Sequence, residues 1–441
     1  MEFIDVQVRS HNGRKNRIAL PSNLYHKGKD INKLQIGHDV YSCSFFIHPH
    51  SSSIHLPQHM FERLHINSGE ELPLHFAEDK LILRPLIGIW MAGFNWKGLI
   101  YPKRTAYAKE LLQTGAKMGF TCFLFGYQHI DWETKTIRGF QWEKEEWKQK
   151  SFPVPNVIYN RLPNRKVEQH PFIKDAYQKI SKHSTIFNPS FFDKGYIHEM
   201  LMEDPICHPY IPETILHPSL QGLKAMIEEH PSIYIKPRNG SVGKGLILLK
   251  RDRIKNHYQV DRYHKGKVET TYYPTLTYWY DRTFPKGAQG YLAQPDVQLQ
   301  KKKGFPVDFR VHTNKNDIGE WEVSLIACKF AGKGSITTHV EHGGKVFSLE
   351  EIFTAKETDW LKRRLTQVSL QMSKVIDKNI EGTVAEIGFD LGIDEEGRIW
   401  LFEANSKPGV HIFQTENTLK LKQNALRFPF LFAAYLLTKN E

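Results

Sequence analysis

The chain has 441 residues, of which 40% are hydrophobic and 24% are charged, and its formal net charge is +12. These proportions predict a globular protein of roughly two to four domains and exclude a largely disordered chain. No apolar run approaches the ~20 residues of a membrane-spanning helix, so no membrane partner is expected. The charge favours anionic partners, but no basic cluster interleaved with aromatic residues indicates a nucleic-acid site.

Cysteine usage indicates the cellular compartment. Cys43, Cys122, Cys207 and Cys328 are far apart and form no CxxC pair. This spacing is typical of a reducing compartment and does not indicate disulfides. The first residues, MEFIDVQVRSHNGRKNR, lack the apolar core of a secretory signal. We therefore expect a cytoplasmic protein.

Residues 1–85 contain a faint internal repeat. The run IALPSNL at 18–24 recurs as IHLPQHM at 54–60, and a short apolar segment and a glycine turn follow each copy. Strand-like alternation resumes after each turn. The repeat predicts a small, pseudo-symmetric N-terminal β-barrel over residues 1–85.

Residues 86–185 predict a small α/β domain. Leu86–Trp90 and Thr121–Phe125 have the composition of buried strands, and residues 103–118 between them have helical periodicity. We interpret the charged run FQWEKEEWKQK as a helix in which Trp142 and Trp147 are packing anchors.

Residues 186–441 predict a third, larger α/β domain. Its predicted helices cover 218–229, 275–283, 357–379 and 424–438, with another ending near Pro205, and its strands alternate with them. The fold class is therefore α/β, or α+β, in three parts.

The run IYIKPRNGSVGKGLILLK places a lysine and a glycine-rich loop between two strands. Lys236 ends the first strand, and Gly240, Ser241 and Gly243 lie in the loop. Glycines let backbone N–H groups approach phosphate oxygens, and a lysine adds a point charge. The spacing differs from that of a Walker A loop. A glycine-rich hairpin alone is more often a simple turn, but Lys236 beside it favours a phosphate site.

A second candidate site lies where the apolar strand of YLAQPDVQL ends. Gln294 ends the strand, Pro295 keeps only its carbonyl, and Val297 offers an N–H. A carbonyl and an N–H two residues apart can pair with the amino group and a ring nitrogen of adenine. A strand that merely stops at proline is the alternative.

Asp308 and Arg310 alternate on a predicted strand and therefore share one face. Asp308 is a candidate partner of ribose hydroxyls, and Arg310 suits bidentate contact with a phosphate or an oxyanion. Lys329, in SLIACKFAG, is a further candidate cation. A surface ion pair is the alternative for Asp308 and Arg310.

The last strand pair, in EIGFDLGIDEEGRIWLFEANSKPG, carries a triplet of oxygen ligands. Glu403 and Asn405 share one face of a strand, and Asp390 lies on the partner strand across a turn. Oxygen donors without thiolate or imidazole favour Mg²⁺ or Mn²⁺. A capping or turn role is the alternative, and it would explain Asp390 alone but explains the three residues together less well.

Taken in order, these motifs resemble the ATP-grasp superfamily over roughly residues 186–441, and D…ExNxxPG is the most specific of them. The N-terminal repeat, LIGIW, FNPSFFDKG and YIKPRNGSVGKG are similar, over nearly the full length, to the YheC/YheD family of endospore coat-associated proteins. The resemblance implies a pre-ATP-grasp domain at 86–185 and a lid at about 215–295 of an ATP-grasp fold.

The resemblance also implies residue roles. Lys194 and Lys236 match the ATP lysines, Gln294–Val297 match the adenine hinge, and Asp308 matches a nucleotide contact. Arg310 and Lys329 match the basic positions at the reacting phosphate. The ligands of two Mg²⁺ ions are matched by Asp390, Glu403 and Asn405. Relatives that ligate amino acids usually have Arg where Lys329 stands, and Lys lacks the bidentate fork.

The implied activity is an ATP- and Mg²⁺-dependent carboxylate–amine ligase that forms an acyl-phosphate, with an amino acid or peptide as substrate. One alternative is a kinase that stops at phosphoryl transfer. Another is a nucleotide-binding structural or assembly protein of the spore coat. Spore association is implied by the resemblance, and nucleic acid is not an expected partner.

Overall fold

The structure is a computed structural model, and it describes residues 3–37, 39–64, 66–94, 102–238, 245–264, 267–332, 338 and 343–439. In these ranges the chain forms four β-sheets with helices packed against them, which confirms the mixed α/β class. None of the described helices is long and apolar enough to cross a membrane.

The first sheet contains eight strands, all from residues before 85. Its elements are β1 Ile4–His11, β2 Arg17–Leu20, α1 Ser22–Lys27, β3 Lys33–Ile36, β4 Asp39–Ser42, β5 Ser44–Ile47, β6 Ile54–Pro57, α2 Gln58–Leu64, β7 Glu71–Phe76 and β8 Leu81–Leu83. The strand order is β4-β3-β8-β7-β1-β6-β2-β5. Only Cys43 separates β4 from β5, the two ends of this order, so the sheet nearly closes like a barrel, as predicted.

The internal repeat corresponds to two strand–helix units in this sheet. β2 leads into α1, and β6 leads into α2. Gly37 and Gly69, which follow the two units, have φ of 57° and 86°, a region in which side chains are strained. Ile18 and Ile54, one from each repeat, are both buried in the core of this sheet.

The second sheet is built from residues 86–187. Its elements are β9 Leu86–Trp90, α3 Pro102–Lys117, β10 Thr121–Phe125, β11 Ile130–Asp131, β12 Thr136–Glu143, β13 Glu146–Pro153, β14 Val157–Asn160, α4 Arg165–Glu168, α5 Pro171–Ile180 and β15 Thr185–Phe187. The order is β11-β12-β10-β9-β14-β15, with β13 beside β12. β9 runs parallel to β10 and β14, and all five of its residues are buried, as in a strand covered on both faces.

The predicted helix around Trp142 and Trp147 is wrong, because this run forms the β12–β13 hairpin. The two tryptophans face each other across the hairpin with ring centroids 5.2 Å apart. Lys144 and Glu145 form the turn with φ of 48° and 63°. Such two-residue turns are usually Asn-Gly or Asp-Gly, so Lys-Glu gave no turn signal, and the charged residues resembled a solvated helix.

The third and fourth sheets come from the remainder of the chain. Their elements are α6 Lys194–Glu203, β16 Ile215–Leu216, α7 Leu220–Glu229, β17 Ser232–Pro237, β18 Ile247–Asp252, β19 His257–His264, β20 Lys267–Tyr273, α8 Leu276–Thr283, β21 Tyr291–Pro295, β22 Lys301–Lys302, β23 Phe305–Lys315, β24 Trp321–Phe330, β25 Lys345–Phe347, α9 Ala355–Asn379, β26 Glu386–Ile393, β27 Ile399–Asn405 and α10 Glu416–Lys439. The third sheet has the order β16-β21-β17-β18-β19-β20. The fourth has the order β25-β24-β23-β26-β27, with β22 beside β23.

One hydrophobic core joins the second sheet to the fourth. Ile87 and Leu124 of the second sheet belong to the same buried cluster as Leu325 and Ala327 of β24 and Phe430 of α10. The C-terminal helix therefore packs between the two sheets. The boundary that we predict at residue 185 divides the chain within β15, and this shared core extends across it.

Candidate functional site

A cavity of about 350 Å³ lies between the third and fourth sheets. This volume is within the usual range for small-molecule sites. The predicted site residues in its wall are Lys194, Lys236, Gln294, Pro295, Val297, Asp308, Lys329, Asp390 and Glu403. Arg310 and Asn405 are not in the wall. Gly240, Ser241 and Gly243 lie outside the described residues.

Two lysines reach the cavity from different elements. On β17, Ile233 and Ile235 point into the core of the third sheet, so alternation turns Lys236 to the cavity. Lys194 is the first residue of α6, whose start is capped by Asp193 through a 3.0 Å bond from the Tyr196 N–H. The Lys194 Nζ lies 3.4 Å from Glu403 Oε1.

The environment of Lys236 disfavours its charge. Burial lowers the pKa of Lys236 to about 8, and the nearby charge of Lys194 acts in the same direction. Glu403 and Asp390 oppose this shift only in part. The Nζ also lies 5.9 Å from the centre of the Phe402 ring. An anion bound in the cavity would add to the effect of these carboxylates and favour the charged form of Lys236.

Strand pairing in the fourth sheet assembles a row of charged residues. Asp308 on β23 lies opposite Lys329 on β24, and Arg310 on β23 lies opposite Asp390 on β26. Asp390 in turn lies opposite Glu403 on β27. Directly opposed residues on one face of a sheet are close enough for their side chains to contact each other. The register therefore brings residues from four strands to one end of the cavity.

Asp390 is the centre of this charged row. Arg310 donates from Nε and Nη2 to the two oxygens of Asp390, each at 2.9 Å, and Lys329 Nζ donates to Oδ1 at 2.6 Å. Lys329 Nζ also lies 3.2 Å from Asp308 Oδ1, and the Thr338 hydroxyl donates to Asp308 Oδ2. Both cations are thus held in fixed positions at the cavity end.

The pKa shifts in this row reflect competition between burial and charge. Burial alone would lower the pKa of Lys329, but Asp308 and Asp390 together outweigh it and raise that pKa. The pKa of Arg310 is raised in the same way, chiefly by Asp390 against its own burial. For Asp308, burial raises the pKa and Lys329 offsets only part of the shift.

The residues at this end fit a hard divalent cation. Glu403 lies in the cavity wall, and among the described residues its ion-pair contact is the long one with Lys194. Asn405 follows two residues later on the same face of β27. Carboxylate and amide oxygens are suitable ligands for Mg²⁺. Asp390 lies beside them, and its two oxygens accept hydrogen bonds from Arg310 and Lys329, so a metal held by Asp390 would share the carboxylate with these two cations.

The predicted hinge lies in the part of the cavity wall that β21 and the residues after it form. Gln294 is buried in β21, and Pro295 ends that strand. Asp296 is held by Ser232, which accepts from its backbone N–H at 2.9 Å and donates its hydroxyl to Oδ2 at 2.8 Å. In the described part of the chain, the Val297 N–H has no hydrogen-bond acceptor. A free N–H in this part of the wall suits a ring nitrogen of a nucleobase.

The base of the glycine-rich loop is tied to α6. Arg238 immediately precedes the loop, and its Nη2 donates to Asp193 Oδ1 at 2.7 Å. Its guanidinium lies so close to Gly195 that a Cβ there would be 2.5 Å from Nη2. Arg238, the last described residue before the loop, therefore lies beside the helix turn that carries Lys194.

Several wall residues were not predicted from the sequence. They include Tyr234, Leu246, Leu248, Lys250, Asp296, Lys301, Thr338 and Phe402. Strand alternation carries a signal for Tyr234, which lies two residues before Lys236. No local signal exists for Thr338, because it contacts Asp308 from a segment thirty residues away in the chain.

Sequence comparison identifies the family. The YheC/D-like ATP-grasp family matches residues 183–436. Endospore coat-associated protein YheD of Bacillus subtilis (strain 168) is 33% identical over 433 residues, which cover 96% of this chain and 94% of YheD. Endospore coat-associated protein YheC of the same organism is 24% identical over 315 residues, covering 69% of this chain and 85% of YheC.

Similar solved structures are more distant in sequence. D-cycloserine synthetase DcsG is 11% identical with a TM-score of 0.46, over 77% of this chain and 98% of that chain. VanG D-Ala:D-Ser ligase from Enterococcus faecalis is 11% identical with a TM-score of 0.46, over 80% and 99%. The match over residues 183–436 and the 33% identity over nearly the whole length show that the chain belongs to the YheC/D-like ATP-grasp family.

Proposed function

We propose that this protein is an ATP-dependent carboxylate–amine ligase. The observation that carries the proposal is one cavity whose wall contains Lys194 and Lys236 near Glu403 and also Val297, whose N–H has no acceptor among the described residues. A nucleotide needs both kinds of contact, because its phosphates require cations and its base requires a free hydrogen-bond donor. Family membership makes ATP the expected nucleotide.

The nucleotide would lie along the cavity between the two sheets. Its base would contact the Pro295 carbonyl and the Val297 N–H, and Asp308 would lie near the ribose. Lys194 and Lys236 would neutralise the phosphates, and the phosphates would favour the charged form of Lys236, which makes no ion pair with another described residue. Gly240, Ser241 and Gly243 are proposed to cover the phosphates with their backbone N–H groups.

Glu403 and Asn405 are proposed as the residues that hold Mg²⁺, with Asp390 as a third ligand. We propose two ions with Glu403 as the shared ligand, and Mn²⁺ is expected to substitute. When bound, the metal supplies charge neutralisation of the β- and γ-phosphates. Asp390 would share its carboxylate between the metal and the two cations, and Arg310 and Lys329 would contact the reacting phosphate.

The proposed chemistry has two displacement steps. An oxygen of the substrate carboxylate bonds to the γ-phosphorus, the bond from that phosphorus to the β–γ bridging oxygen breaks, and ADP leaves. The amine nitrogen then bonds to the acyl carbon, the acyl C–O bond breaks, inorganic phosphate leaves, and the nitrogen loses a proton to solvent. Arg310 and Lys329 would stabilise the negative charge that develops on the transferred phosphoryl group and on the acyl oxygen.

Hydroxylamine trapping tests the acyl-phosphate directly. The protein is incubated with ATP, Mg²⁺, hydroxylamine and a panel of amino acids and peptides, and hydroxamate and ADP are measured together. We expect at least one acid to yield both products in equal amounts, and Lys329→Met to abolish them. Lys362→Met, at an exposed pair with Glu350, is the matched control and should retain activity. ADP at background for every acid would count against a ligase.

The product distinguishes a ligase from a kinase. A ligase supplied with an acid and an amine gives a product that has lost one water, whereas a kinase gives a product that carries a phosphate. Mass spectrometry of the reaction mixture separates these outcomes. Accumulation of a stable phosphorylated hydroxyl compound would favour the kinase.

A second candidate function is that of a nucleotide-binding coat protein. It is favoured by the printed name of the relative that is 33% identical, an endospore coat-associated protein. The protein would then bind ATP to stabilise its fold and associate with the spore coat. ATP that raises the unfolding temperature but is not consumed with any acid, amine or spore extract would support this function over the ligase.

A further inference from the structure

A buried ion pair follows directly after the proposed metal ligands. Lys407, two residues beyond Asn405, has a side chain that is 2% exposed, and its Nζ lies 2.5 Å from Glu168 Oε1. Glu168 ends α4 beside the second sheet, and its other oxygen accepts from the Phe191 N–H at 3.1 Å. The end of β27 is therefore attached to a different part of the molecule by a fixed carboxylate.

A second anchor holds the partner strand. Arg161, which follows β14, donates from Nη1 to Glu386 Oε1 at 2.6 Å and from Nη2 to the Pro408 carbonyl at 3.3 Å. The Tyr159 hydroxyl donates to the same carboxylate at 3.0 Å. Glu386 begins β26, the strand that carries Asp390. Both ligand strands are thus fastened to the second sheet.

Packing leaves the segment between the anchors little freedom to move. A Cβ at Gly388 would lie 2.5 Å from the Pro408 Cβ, so Pro408 rests directly on β26. Glu403, Asn405 and Lys407 alternate along one chain segment, and only Ser406 separates the last two. A displacement of Lys407 would therefore be transmitted to the side chain of Asn405.

We propose that Lys407 and Glu168 are positioning residues whose buried ion pair fixes the end of β27 so that Glu403 and Asn405 hold the divalent cation of the bound nucleotide. Partners that orient metal ligands without touching the metal commonly change its affinity when they are removed. The proposal rests on the proposed function in one respect, since it assumes that the nucleotide binds with a divalent cation at Glu403 and Asn405.

The test separates metal affinity from nucleotide affinity. Mn²⁺ binding is measured by electron paramagnetic resonance with saturating ATP, and ATP binding without metal is measured by calorimetry in EDTA. Glu168→Gln keeps the size of the side chain and removes its charge. Glu110→Gln is the matched control, because it breaks the Lys422–Glu110 pair, which joins α10 to α3 away from the cavity.

We expect Glu168→Gln to weaken Mn²⁺ binding by about 10- to 100-fold, with metal-free ATP binding unchanged. Glu110→Gln should change neither affinity. A purely structural role would instead give equal Mn²⁺ affinities in the wild type and both variants, or parallel losses of Mn²⁺ and ATP binding in Glu168→Gln. Either result would overturn the proposal.

Two further outcomes are covered by the same measurements. If Glu168→Gln does not fold, Glu168→Asp keeps the charge and shortens the side chain, and it is expected to weaken Mn²⁺ binding with little change in unfolding temperature. Unchanged Mn²⁺ affinity in a folded Glu168→Asp would then overturn the proposal. A wild type that binds ATP but no Mn²⁺ would instead refute the metal site of the proposed function, and the positioning role with it.

Discussion

Two lysines in the cavity wall, Lys236 and Lys329, carry opposite pKa shifts, and their neighbours explain the difference. Lys329 lies between Asp308 and Asp390, so its charge is compensated and its pKa is raised. Lys236 makes no ion pair within the described residues, and burial lowers its pKa to about 8. Of these two lysines, Lys236 is therefore the one whose charged form a bound phosphate would stabilise more.

Replacement of Lys236 tests its contact with the nucleotide. Lys236→Met should lower ATP affinity by about 10- to 100-fold, because a hydrogen bond to a charged group contributes about 1.5–3 kcal/mol. Calorimetric titration of ATP measures the change, with Lys362→Met as the control for loss of one positive charge. Equal affinity in wild type and Lys236→Met would place the phosphates elsewhere.

The lowered pKa of Lys236 predicts a pH dependence of ATP binding. Below about pH 8 the free protein carries a charged Lys236, and above it the lysine is neutral. Since only the charged form attracts phosphates, ATP affinity should decrease as the pH rises through about 8 and level off below it. The measurement is the dissociation constant between pH 6.5 and 9.5, values chosen to lie about 1.5 units on either side. If ATP affinity decreased over the same pH range in Lys236→Met, the titrating group would be a different residue.

Local alternation explains which site contacts are visible in the sequence. Asp308 and Arg310, like Glu403 and Asn405, are two residues apart on strands, and this spacing alone places each pair on one face. The contact of Arg310 with Asp390 depends instead on the pairing of β23 with β26, which joins residues eighty positions apart. Such a register has no local signal in the sequence, so the ion pair between Arg310 and Asp390 is not predictable from it.

At the scale of elements, two differences from prediction have different causes. The β12–β13 hairpin was mistaken for a helix because its turn residues, Lys144 and Glu145, are not typical of a turn with positive φ. The last helix begins at Glu416 and not at Asn424, because its first two turns are largely exposed and lack the apolar periodicity of the rest. Helices with a continuous apolar face, such as α9, were predicted to within about two residues.

The start of α9 gives a prediction for one element. Thr354 caps the helix, and Glu357 accepts from the Thr354 N–H at 2.9 Å, so the two residues form a capping box. Thr354→Ala should lower the opening free energy of the first turn by about 1 kcal/mol. Hydrogen exchange measured by mass spectrometry reports this as faster exchange in the first turn of α9. The exposed Lys356→Ala should leave exchange unchanged, and similar rates in both variants would argue against the cap.

For the whole molecule, the shared core matters more than the sheet boundaries. The cluster that contains Ile87, Leu124 and Phe430 joins the second sheet to the end of the chain, whereas the first sheet has a separate core around Val8 and Leu56. The three-part division at residues 85 and 185 is a proposal. The separate core of the first sheet favours independent folding of residues 1–85. The shared core instead favours joint folding of residues 86–185 with residues 186–441.

Truncation tests this division. A fragment of residues 186–441 would expose the apolar face of α10, so we expect aggregation or non-cooperative unfolding in calorimetry. A fragment of residues 86–441 keeps the shared core except for Ile82, and it should unfold cooperatively and bind ATP. If the 186–441 fragment is instead monomeric and binds ATP as the full chain does, residues 186–441 fold alone.

The proposed function requires that the cavity between the third and fourth sheets binds Mg²⁺ and ATP together at Glu403. The most direct test is calorimetric titration of ATP with and without Mg²⁺ for the wild type, Glu403→Gln and Glu396→Gln. Glu396 is the matched control because it is exposed in the turn of the same hairpin and pairs with Arg398. We predict that Mg²⁺ strengthens ATP binding in the wild type and in Glu396→Gln but not in Glu403→Gln. The same Mg²⁺ effect in all three proteins, or no ATP binding by the wild type, would contradict the claim.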